Sequence, residues 1–450
     1  MSKKLYIKTY GCQMNVYDSV RMADVMRPLG YVTQDNADDA DLVILNTCHI
    51  REKAEEKVYS DLGRILKQKK LKKEKGERML IAVGGCVGQA EGEEIIQRAP
   101  YVDMVMGSHS YYQLPEMVTK AIREKGGVVE LDFPVEPKFD FLPKDTQQGV
   151  SAYLSVQEGC DKFCTFCVVP YTRGAEYSRK AQDLIDEAKR LVDQGTMEIM
   201  LLGQNVNAYH GEASDGKTWS LADLIAELAK INGLERIRYM TSHPRDMQED
   251  LIAIHGQEAK LMPYLHLPIQ SGSDGVLKRM NRKHTAEFYV EIIERLRKSR
   301  PDMAFTSDFI IGFPGETDQE FEETMALVKR INYAQAYSFK YSPRPGTPAA
   351  TDEAQIDEAV KKLRLAQLQA LLYEQQTAFN EACVGETMKV LFTREGKFEG
   401  QLIGKSPYLQ SVYVNAPDEF CGKMMDVRIT AGYMNSLTGD VIEQSYERVV

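Results

Sequence analysis

The sequence predicts a mixed α/β protein built from three consecutive units. Near the amino terminus, short apolar runs alternate with helical stretches, and this alternation restarts for six more strand–helix pairs after residue 149. In the tail, short strand-like runs follow one another with glycine, proline and asparagine between them. We therefore expect an open parallel α/β sheet, a (β/α)6 partial barrel and a small β-barrel, in that order.

The composition is that of an ordinary globular protein. The 450 residues include 56 lysines and arginines against 66 aspartates and glutamates, which gives a net charge of −10. With 43% hydrophobic and 27% charged residues, disordered, collagen-like and mucin-like classes are excluded. No run of about 18 uncharged apolar residues and no secretory signal is present, so we expect a cytoplasmic protein with no membrane partner. Eight cysteines are too few for a disulfide scaffold in such a chain.

The first unit, residues 1–132, has four predicted strands, and three of them run into a turn that holds a cysteine. The predicted strands are residues 5–10, 42–45, 80–83 and 104–106. Because loops at the carboxyl ends of parallel strands meet in one crevice, Cys12, Cys48 and Cys86 can converge there. The alternative is that all three are buried core residues, which is common for cysteine.

The second unit, residues 149–381, reads as a strand–helix barrel. Residues 133–148 contain three prolines and no clear period, so we interpret them as the linker before it. A long helix is predicted at residues 356–381. A barrel of this kind carries its active site at the carboxyl ends of its strands. The six predicted strands are residues 151–156, 198–202, 236–240, 264–267, 305–311 and 335–341.

The third unit, residues 382–450, reads as a small β-barrel. Glycine, proline and asparagine separate its short strands, as is usual for tight turns. The predicted strands are residues 387–394, 401–406, 410–414 and 423–429.

Three cysteines lie within eight residues on the loop after the first predicted barrel strand. Cys160, Cys164 and Cys167 have the spacing C-x3-C-x2-C. A structural zinc site needs four protein ligands, and no further cysteine or histidine is nearby in the sequence. An iron–sulfur cluster accepts three thiolates and keeps one iron open for a small molecule. The alternatives are three small buried residues or an incidental zinc site.

The cysteine spacing and the strand–helix pattern together resemble the radical S-adenosylmethionine superfamily. The resemblance implies that the open iron binds the cofactor and that one electron cleaves it to a 5′-deoxyadenosyl radical. Further motifs are similar to the methylthiotransferases, most specifically to the branch that modifies isopentenylated adenosine beside the tRNA anticodon. These motifs are YGCQMN at 10–15, NTC at 46–48, GGC at 84–86, CTFCVVPYTRG at 164–174, LGQNVNAY at 202–209, TSHP at 241–244, LPIQSGSD at 267–274, MNR at 280–282, FIIGFPGET at 309–317 and YSPRPGT at 341–347.

The resemblance implies a tRNA methylthiotransferase that adds a methylthio group to C2 of N6-isopentenyladenosine at tRNA position 37. It implies S-adenosylmethionine and two 4Fe–4S clusters as cofactors. The closely spaced cysteines would hold the radical cluster, and the three separated cysteines a second cluster that takes part in sulfur delivery. The alternatives are a sister enzyme acting on threonylcarbamoyladenosine or on a ribosomal protein and, from another class, a non-catalytic iron–sulfur protein that binds RNA or carries electrons.

The resemblance also implies that polar loops after the barrel strands grip S-adenosylmethionine. Gly203-Gln204-Asn205 occupies the position of the superfamily's amino-group-binding motif, although a literal Gly-Gly-Glu is absent. Each candidate has the alternative of a structural role in its loop, and His243, which precedes a proline, is open to both a general-base and a structural interpretation. The candidates are Gly203, Gln204, Asn205, Ser242, His243, Gln270, Arg282, Ile311 and Gly312.

The tail resembles the TRAM RNA-binding module, in which aromatic side chains stack on unpaired bases while cations hold phosphates. The implied partners are tRNA, through its isopentenylated anticodon stem–loop, and an electron donor such as flavodoxin or ferredoxin, and we expect a monomer. Because the net charge is negative, RNA contact needs a local basic patch. The alternative for the aromatic residues is the core of the small barrel. The candidates for RNA contact are Arg173, Arg344, Phe392, Arg394, Lys397, Lys405 and Tyr408.

Overall fold

The computed structural model describes residues 2–48, 54–124, 127–133, 138–144, 146 and 148–442. Its main β structures follow one another as a six-stranded sheet, two three-stranded sheets and a closed five-stranded barrel. This succession confirms the predicted order of an open α/β sheet, a partial barrel and a small β-barrel. Within the described ranges, no helix is long and apolar enough to cross a membrane.

The amino-terminal sheet has six parallel strands, two more than the sequence predicted. They are β1 Lys3–Thr9, β2 Tyr31–Thr33, β3 Leu42–Thr47, β4 Leu80–Gly85, β5 Met104–Met106 and β6 Val128–Glu130. The helices are α1 Gln13–Met26, α2 Ala54–Glu74, α3 Cys86–Glu91, α4 Glu93–Arg98 and α5 Leu114–Arg123. β3 and β4 are buried along their whole length between two apolar clusters, which explains their largely apolar sequences. The missed strands, β2 and β6, are three-residue strands at the two edges of the sheet.

The strand order brings the first three cysteine loops to one edge of this sheet. The order is β2-β1-β3-β4-β5-β6, so the chain first pairs a strand on one side of β1 and then crosses to the other. The direction of the connections thus reverses between β1 and β3. In parallel sheets a ligand crevice opens at such a switch point, beyond the carboxyl ends of the strands. Cys12 and Cys48 follow the two strands at the switch point, and Cys86 follows the neighbouring β4.

The partial barrel consists of two three-stranded parallel sheets. Its six long strands are β7 Ser151–Ser155, β10 Glu198–Leu202, β13 Arg236–Tyr239, β14 Tyr264–His266, β15 Ala304–Ile311 and β16 Gln335–Lys340, each within one residue of its predicted bounds. A parallel bridge between Ile237 and Leu261 connects the two sheets, and β7 and β16 remain as the open edges. Four short strands complete the β structure: β8 Gln157–Glu158, β9 Tyr177–Ser178, β11 Gly211–Glu212 and β12 Thr218–Trp219.

Helices cover the outside of these strands, and the largest apolar cluster of the protein lies between the two layers. α8 and α12 each begin with a capping box. The hydroxyl before each helix (Ser220 or Thr317) accepts from the backbone amide of the third helical residue, and the carboxylate of that residue accepts from the backbone amide before the helix. The helices are α6 Val169–Arg173, α7 Ala181–Asp193, α8 Leu221–Leu228, α9 Glu249–Gln257, α10 Asp274–Arg279, α11 Ala286–Ser299, α12 Asp318–Ile331 and α13 Glu358–Ala382.

The carboxyl-terminal barrel closes through five strands in the order β17-β18-β19-β21-β20. They are β17 Thr387–Glu395, β18 Gln401–Lys405, β19 Ser411–Asn415, β20 Met424–Tyr433 and β21 Ser436–Val441. The sequence predicted four strands and missed β21, whose stretch SLTGDV contains glycine and aspartate, residues that strands usually avoid. β21 pairs with β19 and β20 and closes the barrel around its own apolar core.

Part of the predicted linker has regular structure. Lys138–Phe141 forms a 3-10 helix, and the Lys138 side chain is buried between the first two units. The linker prediction also covers residues 134–137, 145 and 147, which lie outside the described residues.

Candidate active site

The three closely spaced cysteines lie on the loop between β8 and α6, after the first strand of the partial barrel. Gly159 opens this loop with a φ of 77°, and a Cβ at that position would lie 1.9 Å from the Ala175 carbonyl oxygen, so only glycine fits. Cys164 is buried, and Cys160 and Cys167 are half-buried. The loop thus holds three thiols in a partly enclosed position.

The surroundings of Cys160 and Cys167 favour the protonated thiol until a cation binds. Burial raises the pKa of Cys160 to about 11 and that of Cys167 to about 12, and the neighbouring Cys164 adds to both shifts. A bound metal ion reverses this preference, because it ligates the thiolate. Arg282 Nη1 donates to the Cys164 sulfur at 3.6 Å, and the Val169 amide donates to the Cys167 sulfur at 3.5 Å.

Among the residues that the structure describes, no three cysteine, histidine or carboxylate side chains are already positioned to hold a metal ion. The chemistry of the three closely spaced thiols fits an iron–sulfur cluster, since three soft sulfurs on one loop leave one iron open. A closed zinc site would require a fourth protein ligand.

The loop after β10 is fixed directly to the cysteine loop. Gln204 Oε1 accepts a hydrogen bond from the Gly159 amide at 2.6 Å. Gln157 Oε1 accepts from the Gln204 and Asn205 amides at 2.9 and 3.0 Å, and a Cβ on Gly203 would lie 2.5 Å from the same oxygen. The Gln204 side chain is therefore used inside the protein. Gln157, which the sequence analysis did not single out, organises the loop; its only signal is a polar residue directly after an apolar strand.

A cavity of about 280 Å³ opens between the cysteine loop and the loops after β13 and α10. Lys162, Arg245, Arg282 and Lys283 line it, whereas its only acidic lining residue among the described residues is Asp161. This excess of positive charge suits a ligand that carries a carboxylate. The cavity adjoins the cysteine loop, as a cofactor bound to an open iron requires.

Four of the predicted cofactor residues each have one buried polar atom with no hydrogen-bond partner within the described part of the chain. These atoms are Asn205 Oδ1, Ser242 Oγ, His243 Nε2 and Arg282 Nε. Buried polar groups are almost always hydrogen-bonded in proteins, so the unsatisfied atoms of His243 and Arg282, which line the cavity, indicate a ligand there. Asn205 and Ser242 do not line the cavity. The arrangement fits S-adenosylmethionine, which offers a carboxylate, an ammonium group and ribose hydroxyls as partners.

His243 is a neutral hydrogen-bond donor. Its Nδ1 accepts from the Arg245 amide at 3.3 Å, so Nε2 carries the proton. Burial, reinforced by the charge of Arg282, lowers the pKa of His243 and keeps the ring uncharged. The geometry therefore favours a positioning role over the general-base interpretation.

Three other predicted cofactor residues support the rim of the barrel and do not line this cavity. Gln270 has a φ of 79° and joins the chain to β15 through its own backbone. The Ile311 side chain belongs to the apolar core, so only its backbone is available to a ligand. Gly312 has a φ of 71°, and a Cβ there would lie 2.4 Å from the Lys361 side chain.

Two glycines let the separated cysteine loops approach one another. Gly11 has a φ of 94°, and a Cβ on it would lie 2.5 Å from the Cys48 sulfur. Gly85, directly before Cys86, has a φ of 85°. It passes so close to the end of β3 that a Cβ at this position would lie 2.4 Å from the Thr47 carbonyl oxygen. A hydrogen bond with Cys48 lowers the pKa of Cys12 to about 6, so that Cys12 is a thiolate at neutral pH, the form that binds metal.

Arg173 connects the amino-terminal sheet unit with the partial barrel through a buried ion network. Its guanidinium lies 2.8 Å from Glu158 and 2.7 Å from Asp18, and Lys138 lies 2.7 Å from the same Glu158 oxygen. Although burial opposes it, the charges of Asp18 and Cys86 hold the pKa of Arg173 well above its usual range. The prediction that Arg173 contacts RNA is wrong, because the side chain is only 3% exposed and fully occupied by these partners.

The RNA candidates in the carboxyl-terminal barrel differ in how exposed their side chains are. The prediction for Phe392 is wrong, since this ring is completely buried in the barrel core and cannot stack on a base. Arg394 and Lys397 are exposed. The sequence analysis missed Phe398, which is 68% exposed and has the Lys397 ammonium 6.0 Å from its ring centroid. An exposed aromatic residue next to a cation is the signal that could have identified it.

Arg394, Lys397 and Phe398 belong to the exposed hairpin in which residues 396–400 join β17 to β18, and the other RNA candidates lie outside its turn. Arg344 is half-buried in the loop after β16. Lys405 donates to Ser411 Oγ at 3.0 Å, and Tyr408 packs edge-on against Phe379 with ring centroids 5.4 Å apart. Lys405 and Tyr408 thus lie half-buried between the two barrels, and their contact with RNA stays a prediction.

Three family models match successive parts of the chain. The Radical SAM superfamily matches residues 154–328, the uncharacterized protein family UPF0004 matches residues 4–107, and the TRAM domain matches residues 381–442. The tRNA-2-methylthio-N(6)-dimethylallyladenosine synthase of Rickettsia felis is 60% identical over 445 residues, covering 98% of this chain and 100% of the relative. The protein of the same name from Rickettsia canadensis is 61% identical with the same coverage.

Solved structures with low sequence identity share the fold. The radical S-adenosylmethionine methyltransferase TsrM from Kitasatospora setae, with cobalamin and a 4Fe–4S cluster bound, superposes with a TM-score of 0.56 at 14% identity, covering 78% of this chain and 74% of its own. The cobalamin-dependent S-adenosylmethionine radical enzyme OxsB gives a TM-score of 0.54 at 13% identity, covering 83% of this chain and 56% of its own. With relatives of 60% identity matched over their whole length, the chain belongs to the family of tRNA-2-methylthio-N(6)-dimethylallyladenosine synthases.

Proposed function

We propose that the protein adds a methylthio group to C2 of N6-isopentenyladenosine at tRNA position 37, using S-adenosylmethionine and two 4Fe–4S clusters. The observation that carries the proposal is the position of Arg173. Its guanidinium is close enough to Cys12 and Cys86 for their charges to raise its pKa, and its helix α6 begins two residues after Cys167. Cys12 and Cys86 therefore lie near the helix that follows Cys167, which supports a site where a radical and a sulfur donor meet.

The six cysteines are the proposed cluster ligands. Cys160, Cys164 and Cys167 hold the cluster that binds S-adenosylmethionine, and Cys12, Cys48 and Cys86 hold the second cluster. When bound, the clusters and S-adenosylmethionine supply the electron, the carbon radical and the methylthio group. The chain itself orders the cysteine loops, and the buried network around Arg173 provides positive charge next to the separated thiolates and excludes water.

The polar rim of the barrel positions S-adenosylmethionine in this proposal. The Nε2–H group of His243 and the Arg282 guanidinium are donors for its carboxylate, and Asn205 Oδ1 is an acceptor for its ammonium group. Ser242 Oγ remains for a ribose hydroxyl. Because these atoms are buried, the hydrogen bonds they form are not weakened by competition with water.

The exposed hairpin of the carboxyl-terminal barrel contacts the tRNA. Arg394 and Lys397 hold phosphates and Phe398 stacks on an unpaired base of the anticodon loop, while the target base is turned out of its stack to reach the clusters. The same proposal includes a cytoplasmic monomer, a flavodoxin or ferredoxin as electron donor, and a division into residues 1–132, a linker at 133–148, residues 149–381 and residues 382–450.

The test uses anaerobically reconstituted protein, a reductant, S-adenosylmethionine and tRNA that carries or lacks the isopentenyl group. We expect nucleoside mass spectrometry to find the methylthio mass shift only on the isopentenylated tRNA, together with 5′-deoxyadenosine. Cys421→Ala is a suitable control, because this exposed cysteine belongs to neither group and its replacement should leave the product unchanged. If the protein methylthiolated threonylcarbamoylated tRNA or a ribosomal protein and not the isopentenylated tRNA, the proposed substrate would be wrong.

A further inference from the structure

The turn after β5 lies at the same edge of the amino-terminal sheet as the three cysteine turns, but it holds no cysteine. This β5 turn consists of Gly107, Ser108 and His109. Ser108 is buried, and the His109 side chain is only 16% exposed. Lys138 donates to the Ser108 carbonyl oxygen at 3.1 Å, which fixes the backbone of the turn to the buried ion network. The polar side chains of the turn therefore face other parts of the protein and not water.

On one side, the β5 turn lies against α3, the helix that begins at the proposed cluster ligand Cys86. A Cβ on Gly88 of α3 would lie 2.6 Å from the Met106 carbonyl oxygen at the end of β5. A Cβ on Gly107 would lie 1.8 Å from Gln89 Oε1 of the same helix. The two glycines thus let the helix and the turn approach one another closely.

On the other side, the β5 turn holds the end of α6, the short helix that begins two residues after the proposed ligand Cys167. Ser108 Oγ donates to the Thr172 carbonyl oxygen at 2.7 Å, and His109 Nε2 donates to the Arg173 carbonyl oxygen at 3.0 Å. Carbonyl groups in the last turn of a helix have no partner within the helix, so these two side chains supply one. Because α3 also contacts α6, the β5 turn joins two neighbouring helices that each adjoin a proposed cluster ligand.

The position of α6 affects both ends of the loop that holds the closely spaced cysteines. Its first residue follows Cys167 by two positions. At its other end, the carbonyl oxygen of Gly174, the residue directly after the helix, accepts from the Cys160 amide at 3.3 Å. A shift of α6 would therefore move Cys160 and Cys167 relative to the amino-terminal sheet.

We propose that the β5 turn sets the position of α6 relative to α3, and that Ser108 and His109 are positioning residues for the methylthio transfer. The inference rests on the proposed function and deepens it, because it concerns how the two proposed cluster sites are aligned. Both side chains act on the cysteines through the backbone of α6. Reacting groups must be held within about 3–3.5 Å of one another, and a misplacement of about 1 Å can lower the rate about 100-fold.

A positioning role has a different consequence from a general contribution to stability. Loss of folded protein lowers the cleavage of S-adenosylmethionine and the formation of product by the same factor. Loss of alignment leaves the closely spaced cysteines able to support cleavage but separates cleavage from transfer, so that 5′-deoxyadenosine forms without product. The ratio of the two products therefore distinguishes the two roles.

The first measurement is amide hydrogen exchange of the full-length, metal-free protein, which depends on no activity. Ser108→Ala removes one of the two hydrogen bonds, and His109→Phe removes the other but keeps a ring next to Phe133, whose centroid lies 5.2 Å from that of His109. We expect exchange in peptides that cover residues 160–174 to become about tenfold faster in each variant. Peptides of α13, which does not contact the turn, should exchange at the wild-type rate.

The second measurement is the ratio of methylthio nucleoside to 5′-deoxyadenosine that the reconstituted protein forms with isopentenylated tRNA. The ratio should fall by about tenfold or more in Ser108→Ala and His109→Phe. His109→Gln should restore most of it, because a glutamine amide can donate to the same carbonyl oxygen. Thr119→Ala is the matched control, since this exposed hydroxyl of α5 also donates to a backbone carbonyl oxygen, that of Pro115 at 2.9 Å, and both measurements should stay at wild-type values.

Faster exchange together with a lower product ratio, restored by glutamine, supports the inference. Wild-type exchange in both variants, or a product ratio that stays at the wild-type value while both yields fall, overturns it. If the wild-type protein forms no methylthio nucleoside, the proposed function is wrong, whereas hydrogen exchange still tests whether the β5 turn holds α6. The two failures are thus distinguishable.

Discussion

Replacing Arg173 by methionine should destabilise the contact between the amino-terminal sheet and the partial barrel by about 3–5 kcal/mol, the usual cost of leaving a buried charge without its partner. Arg173 lies 2.7 Å from Asp18 and 2.8 Å from Glu158, and none of these side chains is more than 3% exposed. Without Arg173, Lys138 remains 2.7 Å from Glu158 but 3.4 Å from Asp18. Asp18 therefore loses its short ion pair in a place that water does not reach.

Urea unfolding of the metal-free protein, followed by circular dichroism, measures this loss as a change in the free energy of unfolding. The double variant Arg173→Met/Asp18→Asn should recover about 1–3 kcal/mol, because the charge that lost its partner is also removed. Arg330→Met is the matched control, since its ion pair with Glu287 is exposed at the surface and its loss should leave stability unchanged. A loss below about 1 kcal/mol for Arg173→Met, the range of surface ion pairs, would refute the reasoning.

Four further predictions test the cysteines, one buried carboxylate and two phenylalanines. Cys164→Ala should abolish 5′-deoxyadenosine formation in anaerobic reactions followed by chromatography, because two thiolates hold an open cluster poorly, and unchanged cleavage would remove its role as a ligand. Cys48→Ala should retain that cleavage but lose the methylthio nucleoside in mass spectrometry, and a normal yield would contradict the role of the second cluster. Although burial opposes it, the lysine, histidine and arginine around Glu158 lower its pKa from 4.5 to about 2, so the carboxylate stabilises the fold above pH 4.5. That contribution should be lost as the pH falls toward 2, and Glu158→Gln should flatten this part of the pH profile of unfolding; an unchanged profile would argue against the network. Phe398→Ala should weaken tRNA binding by about 1–3 kcal/mol in a filter-binding assay. Phe392→Ala should instead lower the free energy of unfolding by about 3–5 kcal/mol. Weaker tRNA binding by a stable Phe392→Ala variant, or a large loss of stability in Phe398→Ala, would contradict these roles.

The periodicity of the sequence predicted the barrel strands closely, and the positions of the cysteine turns after strands indicated the site. The strands it missed have a common cause. β2 and β6 are short edge strands that pair with one neighbour across an intervening helix, and β21 contains glycine and aspartate and pairs with β19 as well as with the adjacent β20. Pairing of this kind leaves little local signal.

The incorrect RNA contacts have a different cause. Arg173 and Phe392 have the chemistry that RNA binding uses, but residue type does not reveal burial. Arg173 is satisfied by carboxylates from two units, and Phe392 fills the centre of a barrel that closes only through β21. Phe398, one turn further along the same hairpin, is exposed because its strand has ended.

By itself, the sequence determined the strand–helix alternation, the spacing of Cys160, Cys164 and Cys167 and the placement of Cys12, Cys48 and Cys86 in turns after strands, because these are local properties of the chain. Only the tertiary structure decided that Arg173 forms a buried ion pair with Asp18 of the amino-terminal unit and that the turn at residues 406–410 packs against the partial barrel. The physical reason is that burial, ion pairing and cavity shape depend on residues that are far apart in the sequence, such as Asp18 and Arg173, which are 155 positions apart. Their free energies are realised only when the three units pack against one another.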